Sequence, residues 1–151
     1  MQARIKHPVM VFPAAMKAML ALSNATADTL PESTRNLIQL RASQINGCAV
    51  CLEMHATDMR KAGETDERLF TVAGWRDAPY FTDAERAALA LTEATTRIAD
   101  QADAVPDDIW AEAAKHYDER QLAALVISIA AINTWNRLNA ATRAVAGSQG
   151  A

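Results

Sequence analysis

The sequence predicts an all-α protein, a single bundle of about six to seven helices. Apolar residues recur at intervals of three and four, alanine is abundant, and no alternating apolar and polar run between turn residues indicates a strand. With 151 residues, half of them hydrophobic, the chain is long enough to bury a core of its own. We therefore expect one domain over residues 1–151, beginning with an N-terminal arm over 1–12.

Helical periodicity, together with start and stop signals, predicts seven helices. They cover about 13–24, 31–45, 48–63, 66–73, 82–98, 106–116 and 118–146. The fifth has the clearest start, because Thr82 and Glu85 have the spacing of a capping box. Gly47 breaks the chain before the third helix, and Gly63 fits a left-handed position after it.

Charge and hydropathy exclude two broad classes of function. The formal net charge is −3, so the chain lacks the basic excess that non-specific nucleic-acid binding requires. No run of eighteen apolar residues is present, which argues against a membrane span. The N-terminal residues do not resemble a secretory signal peptide. We therefore expect a cytoplasmic protein that binds neither nucleic acid nor membrane.

The two cysteines of the chain, Cys48 and Cys51, lie three residues apart. A disulfide between them closes too short a loop to act as a structural staple, so in a cytosolic protein the pair suggests redox chemistry or metal binding. A zinc site needs about four ligands, and neither His7 nor His116 stands at a recognisable ligand spacing, so we expect no metal. Core filling by two buried cysteines is the remaining structural interpretation.

His55 completes a pattern in which three reactive side chains share one helical face. In a helix that begins at Cys48, positions 48, 51 and 55 point the same way, because they are three and four residues apart. The free amides at the helix start favour a thiolate, and His55, one turn beyond Cys51, can accept its proton. A nucleophilic thiol with a second thiol in reach is the minimum apparatus for reducing a peroxide.

The segment 41–55, RASQINGCAVCLEMH, resembles the core motif of AhpD-like alkylhydroperoxidases in the carboxymuconolactone decarboxylase superfamily. Segments 74–81, 85–93 and 132–137 extend the resemblance to about 35–137. It implies an all-helical homo-oligomer, a trimer or a hexamer, and an antioxidant peroxidase that reduces small hydroperoxides through its CxxC. It also implies that Cys51 attacks the peroxide and that Cys48 resolves the product. An external dithiol protein or thiol would reduce the disulfide, and no cofactor is expected, since the chain has no nucleotide-binding glycine motif.

The sequence departs from the pattern of this family in two ways. Some members carry a histidine between the two cysteines, where this chain has Ala49 and Val50. Members also often carry a relay glutamate twelve residues before the first cysteine, where this chain has Asn36, which cannot act as a base. Glu32, one turn earlier, is a candidate substitute, although a solvated surface glutamate is the simpler interpretation. The missing relay glutamate leaves open a non-enzymatic redox-sensing oligomeric module. A lyase like the decarboxylases of the superfamily is the other alternative, and the cysteines argue against it because that branch generally lacks the CxxC.

Other polar residues are predicted to be structural. The segment Trp75-Arg76-Asp77 has the composition of a helix corner fixed by arginine–carboxylate pairs and a buried tryptophan. Asn133 and Asn136 lie on an apolar helix and need hydrogen-bond partners if they are buried. We expect them to hold an interface or the rim of the functional site.

Overall fold

The computed structural model describes residues 1–147, and within this range it contains eight α-helices, one 3₁₀ helix and no β-strand. The α-helices are α1 (Pro8–Val11), α2 (Pro13–Asn24), α3 (Glu32–Asn46), α4 (Ala49–Lys61), α5 (Asp66–Thr71), α6 (Asp83–Thr96), α7 (Asp107–His116) and α8 (Glu119–Thr142). The 3₁₀ helix, Val72–Asp77, lies between α5 and α6. The predicted all-α bundle is confirmed. The last four residues of the predicted domain, 148–151, lie outside the described residues.

Helix α3 is the centre of the bundle, where it packs against α4, α6 and α8. One apolar cluster, which includes the fully buried Leu125 and Ile129, lies between α3, α6, α7 and α8. A second, around Leu37 and Leu89, joins α3 to α4, α5, the 3₁₀ helix and α6. A third, smaller cluster contains both cysteines and lies between α3, α4 and α8. These three helices therefore set the surroundings of the sulfur atoms.

The predicted signals at the helix ends are present in the structure. The Thr82 hydroxyl accepts a hydrogen bond from the Glu85 amide at 3.2 Å, and the Glu85 carboxylate accepts one from the Thr82 amide at 2.9 Å. This reciprocal capping box satisfies two amides that would otherwise lack partners. Gly63, just after the end of α4, adopts a left-handed φ of 87°. The predicted start of the fifth helix is confirmed, and Gly63 has the predicted left-handed conformation two residues after the end of α4.

The N-terminal arm contains a helix that the sequence analysis missed. Helix α1 begins at Pro8, whose ring suits a first turn, and the His7 imidazole accepts a hydrogen bond from the Val9 amide. A helix of four residues is too short to produce a recognisable apolar period. The arm is therefore partly helical.

Four predicted helix ends lie too far along the chain. The third and fifth predicted helices stop at Lys61 and Thr96 instead of residues 63 and 98. The fourth predicted helix stops at Thr71 instead of residue 73, because the backbone tightens there into the 3₁₀ helix. The last predicted helix stops at Thr142 instead of residue 146, because Arg143 takes a left-handed conformation with φ 52° and ψ 47°. Arginine carries no sequence signal for that conformation, which usually falls to glycine or asparagine.

Helix α2 lies on the surface and buries none of its side chains, although most of them are apolar. Three large apolar residues just before it are also exposed: Met10, Val11 and Phe12. Exposed apolar side chains are therefore concentrated in this part of the chain. None of the helices in residues 1–147 combines the length and apolar character needed to cross a membrane.

Candidate functional site

A tight turn between α3 and α4 places Cys48 at the start of α4. Gly47 ends α3 with a left-handed φ of 64°. The Cys48 amide donates to the Ser43 carbonyl at 3.0 Å, and the Gly47 amide donates to the Gln44 carbonyl at 3.3 Å. These two bonds form a Schellman motif, in which glycine meets no steric penalty at the left-handed position. The chain then reverses, and Cys48 becomes the N-cap residue of α4.

Cys48 and Cys51 form a disulfide, with their Cα atoms 5.4 Å apart. The Sγ atom of Cys48 also accepts a hydrogen bond from the Cys51 amide at 3.4 Å, which is the capping interaction of α4. Each cysteine is only 2% exposed, and the pair packs against Ala42 and Ile132. The first sulfur therefore lies at the positive end of the helix dipole, in a largely apolar cluster.

Asn139 of α8 makes the side-chain contact with the second sulfur. Its Nδ2 atom donates to the Sγ atom of Cys51 at 3.3 Å, and its Oδ1 atom lies 3.1 Å from the Nε2 atom of His7. Asn139 is buried. Asn139 was not among the residues predicted from the sequence, although it continues the three-residue spacing of Asn133 and Asn136, a signal that could have identified it.

The other two asparagines of α8 hold the turn that precedes Cys48. The Nδ2 atom of Asn46, the last residue of α3, donates to the Oδ1 atoms of Asn133 and Asn136, both at 2.9 Å. Asn136 in turn donates to the Ser43 hydroxyl at 3.1 Å. Because these polar groups are largely buried, each bond avoids the cost of an unsatisfied group. The network thus fixes the backbone that presents Cys48.

His55 is buried one turn beyond Cys51, and its Nε2 atom has no hydrogen-bond partner within the described residues. Burial lowers the pKa of His55 from 6.5 to about 4, and the nearby Asp58 carboxylate opposes this shift only in part. The imidazole is therefore neutral at pH 7. The side-chain hydrogen bond to the Cys51 sulfur comes from Asn139 and not from His55. Proton exchange between His55 and Cys51 therefore stays a prediction.

A polar cavity of about 550 Å³ opens beside His55, between α3 and α4. Its lining includes both candidate relay residues, the exposed Glu32 and the buried Asn36, but neither cysteine. The Nδ2 atom of Asn36, like His55 Nε2, lacks a hydrogen-bond partner within residues 1–147. The predicted relay residues therefore line the same cavity as His55, and neither cysteine belongs to that lining. Within residues 1–147, no group of three or more His, Cys, Asp or Glu side chains is arranged to hold a metal ion.

The family model of carboxymuconolactone decarboxylases matches residues 13–94, which contain α2 to α5, both cysteines and His55. The chain belongs to the carboxymuconolactone decarboxylase family. A relative from Bacillus subtilis (strain 168), the uncharacterized protein YdfG, is 39% identical over 132 residues, which cover 87% of this chain and 88% of YdfG.

The family match and one solved structure together place the chain in the AhpD-like branch of the carboxymuconolactone decarboxylase superfamily. A crystal structure from Agrobacterium tumefaciens matches with a TM-score of 0.90 and 34% identity, covering 98% of this chain and all of the other. That protein is of unknown function and has been proposed to be the antioxidant defence protein AhpD. The debrominase Bmp8 has a TM-score of 0.77 at 20% identity, covering 92% of this chain and 73% of Bmp8, and shows a shared fold alone.

The buried histidine predicts an acid sensitivity for this member of the carboxymuconolactone decarboxylase family. The pKa of His55 is about 4 in the folded chain and 6.5 without burial, so the unfolded chain binds more protons between these values. The free energy of unfolding should therefore be unaffected by His55 above pH 6.5 and fall by about 3 kcal/mol as the pH drops from 6.5 to 4.

Urea unfolding at several pH values measures this effect as the difference between the native protein and His55→Gln, which cannot titrate. Carboxylates that titrate in the same pH window contribute equally to both proteins, so their effect cancels when the two free energies of unfolding are subtracted. His116→Gln is the matched control, because His116 is a surface histidine beside Glu112. Parallel stability curves for the native protein and His55→Gln would contradict the predicted coupling.

Proposed function

We propose that the chain is a thiol-dependent peroxidase and disulfide oxidoreductase that reduces small hydroperoxides through Cys48 and Cys51. The observation that supports this best is a disulfide at the start of α4 in which each sulfur receives a nitrogen donor. The Cys51 amide donates to Cys48, and the Asn139 amide donates to Cys51. Such donors stabilise thiolates, the form of cysteine that attacks peroxides. The proposed AhpD identity of the Agrobacterium relative supports the same activity.

The reaction begins with the Cys51 thiolate, whose sulfur attacks one oxygen of the hydroperoxide. The O–O bond breaks, an alkoxide leaves with the electron pair and takes up a proton to become an alcohol, and Cys51 becomes a sulfenic acid. The Cys48 thiolate then attacks the Cys51 sulfur and expels hydroxide, which leaves as water after protonation. This closes the disulfide, and the protein has given two electrons to the peroxide.

His55 supplies the proton transfer in this proposal. Its imidazole is neutral at pH 7, so it can pass a proton from the Cys51 thiol to the leaving alkoxide in transit, without being stored as a stable imidazolium. The unpartnered Nε2 atom of His55 and Nδ2 atom of Asn36 both belong to residues lining the polar cavity, which gives a proton a route to solvent. Asn36 can donate a hydrogen bond there but cannot accept a proton as a base. Glu32, which also lines the cavity, takes the role of the missing relay glutamate in this proposal.

A complete cycle requires a reductant from outside the chain. A dithiol protein, or two molecules of a small thiol, gives two electrons to the disulfide and is itself oxidised to a disulfide. We also propose that the chain acts in the cytoplasm as a homo-oligomer, a trimer or a hexamer. The exposed apolar side chains of α1 and α2 support the assembly, because burying them in a subunit interface removes them from water.

Stopped-flow mixing of the reduced protein with hydrogen peroxide or an organic hydroperoxide tests the proposed activity. Trp135 packs against the cysteine cluster, so its fluorescence should report the conversion of dithiol to disulfide. We expect a signal whose rate rises linearly with peroxide concentration and a yield of one disulfide per peroxide consumed. A variant with serine at both cysteines is the control. If the native protein reacts no faster than this variant, the peroxidase proposal fails.

A non-enzymatic redox sensor is the second candidate, because both cysteines are buried in the disulfide form and residue 36 is an asparagine. This candidate requires reversible disulfide formation without appreciable turnover in the presence of excess dithiol. A lyase like the decarboxylases of the superfamily is the third candidate, and turnover of a lactone that survives Cys48→Ser would favour it. Peroxide consumption that requires both cysteines would exclude both of these alternatives.

A further inference from the structure

A chain of hydrogen bonds leads from the N-terminal arm to Cys51. The Nδ1 atom of His7 accepts a bond from the Val9 amide at 3.4 Å, so the neutral ring carries its proton on Nε2. That Nε2 atom lies 3.1 Å from the Oδ1 atom of Asn139 and can donate to it. The amide of Asn139 then has its Nδ2 atom directed at the Cys51 sulfur, 3.3 Å away. A proton on His7 Nε2 therefore matches the orientation of the Asn139 amide in which Nδ2 faces the sulfur.

The arm is fixed at this position by further contacts. The Arg4 amide donates to the Thr142 carbonyl at 2.9 Å, and the Arg4 guanidinium donates to the Ala141 carbonyl at 3.1 Å. The His7 ring lies beside Trp135, with ring centroids 6.2 Å apart. Since Asn139 is only 8% exposed, its amide reaches the sulfur with little competition from water.

We propose that Asn139 is a catalytic hydrogen-bond donor to the Cys51 thiolate and that His7 is the positioning residue that keeps its amide in the donating orientation. This inference rests on the thiol chemistry proposed above for Cys51. A flipped amide would turn Oδ1 toward the thiolate and repel it, and the His7 Nε2 proton opposes that flip because it would then face the Asn139 amide nitrogen. The side-chain amide of Asn139 thus donates to the Cys51 sulfur, as the backbone amide of Cys51 donates to the Cys48 sulfur.

The rate of iodoacetamide alkylation as a function of pH, measured in a Cys48→Ser background, tests this role. The background leaves Cys51 as the single thiol, and His55 is present in every variant and so cancels in the comparison. We expect Asn139→Ala to raise the pKa of the Cys51 thiol by about one unit, which is about a tenfold loss of thiolate at pH values below that pKa. Asn139→Asp should raise it further, because a carboxylate then faces the sulfur.

The arm variants provide the second measurement and do not alter the core. His7→Ala should raise the Cys51 pKa by less than Asn139→Ala, and His7→Gln should restore it, because the glutamine amide can still donate. Asn24→Ala and His116→Ala, both on surface residues, are the matched controls and should leave the profile unchanged.

The outcomes separate this inference from the proposed function, because alkylation needs neither a peroxide nor a reductant. Shifted profiles in a protein without peroxidase activity would support the donor role and remove only the proposed activity. An unchanged profile for a folded Asn139→Ala protein would overturn the donor role. If that variant does not fold, indistinguishable profiles for His7→Ala and His7→Gln would overturn the inference instead.

Discussion

Cys51→Ser is expected to abolish peroxide reduction, with a loss of about a thousandfold or more in rate. The serine hydroxyl stays protonated at neutral pH, so it offers no nucleophile, although the hydrogen bond from Asn139 and the position on α4 remain. Peroxide consumption with excess dithiol as the reductant measures the loss. Ala49→Ser, which adds a hydroxyl at an exposed position between the two cysteines, is the matched control and should keep its activity.

Cys48→Ser should behave differently, because Cys51 can still attack the peroxide once. The resulting sulfenic acid has no neighbouring thiol to resolve it, so a sulfenic-acid trapping reagent should label Cys51. Mass spectrometry locates the label. Labelling at residue 48 in the reciprocal Cys51→Ser protein would reverse the roles proposed for the two sulfurs. Equal residual activity in the two variants would remove the distinction between them.

Glu93→Gln should cause the second large effect, a loss of about 4 kcal/mol in the free energy of unfolding. The buried Glu93 carboxylate joins α6 to α3 and to the 3₁₀ helix. It accepts hydrogen bonds from Arg41 at 2.7 Å, from Trp75 Nε1 at 3.0 Å and from Arg76 at 2.8 Å. Burial alone would raise the pKa of Glu93, but the bonds from Arg76, Trp75 and Arg41 hold it at about 2. Glutamine keeps the shape of the side chain but leaves the buried Arg41 without its counter-charge.

Urea unfolding at pH 7 measures this loss. Glu112→Gln is the matched control, since Glu112 is a surface carboxylate that pairs with Lys115 and His116. Exposed ion pairs contribute little to stability, so this variant should unfold almost as the native protein does. Similar losses in the two variants would indicate that the buried hydrogen bonds of Glu93 contribute no more to the free energy of unfolding than an exposed ion pair does.

The features predicted correctly from the sequence depend on local chemistry. Gly47 before Cys48 fixes the break between α3 and α4 through the conformation of one residue, and the Thr82–Glu85 pair fixes the start of α6 within one turn. The expectation that Trp75 and Arg76 belong to a helix corner was also correct, because both bind the Glu93 carboxylate. Such signals lie within a few residues of the structure that they determine.

The features that were missed depend on contacts between distant parts of the chain. His7 and Asn139 are 132 residues apart, and no local pattern pairs them. The depressed pKa of His55 depends on how deeply α4 is buried by its neighbours, which the spacing of two cysteines and one histidine does not reveal. The sequence therefore identified the sulfurs, whereas the packing of α8 and the arm was needed to identify what surrounds them.

The capping of α4 by Cys48 also bears on the direction in which the protein exchanges electrons. A helix N-terminus stabilises an anionic sulfur and offers much less to a neutral disulfide, so it favours the reduced state. Favouring the reduced state raises the reduction potential and makes the oxidised protein a better electron acceptor. The same turn that prepares a sulfur for attack thus makes its disulfide easier for a partner to reopen, which a protein working in repeated cycles requires.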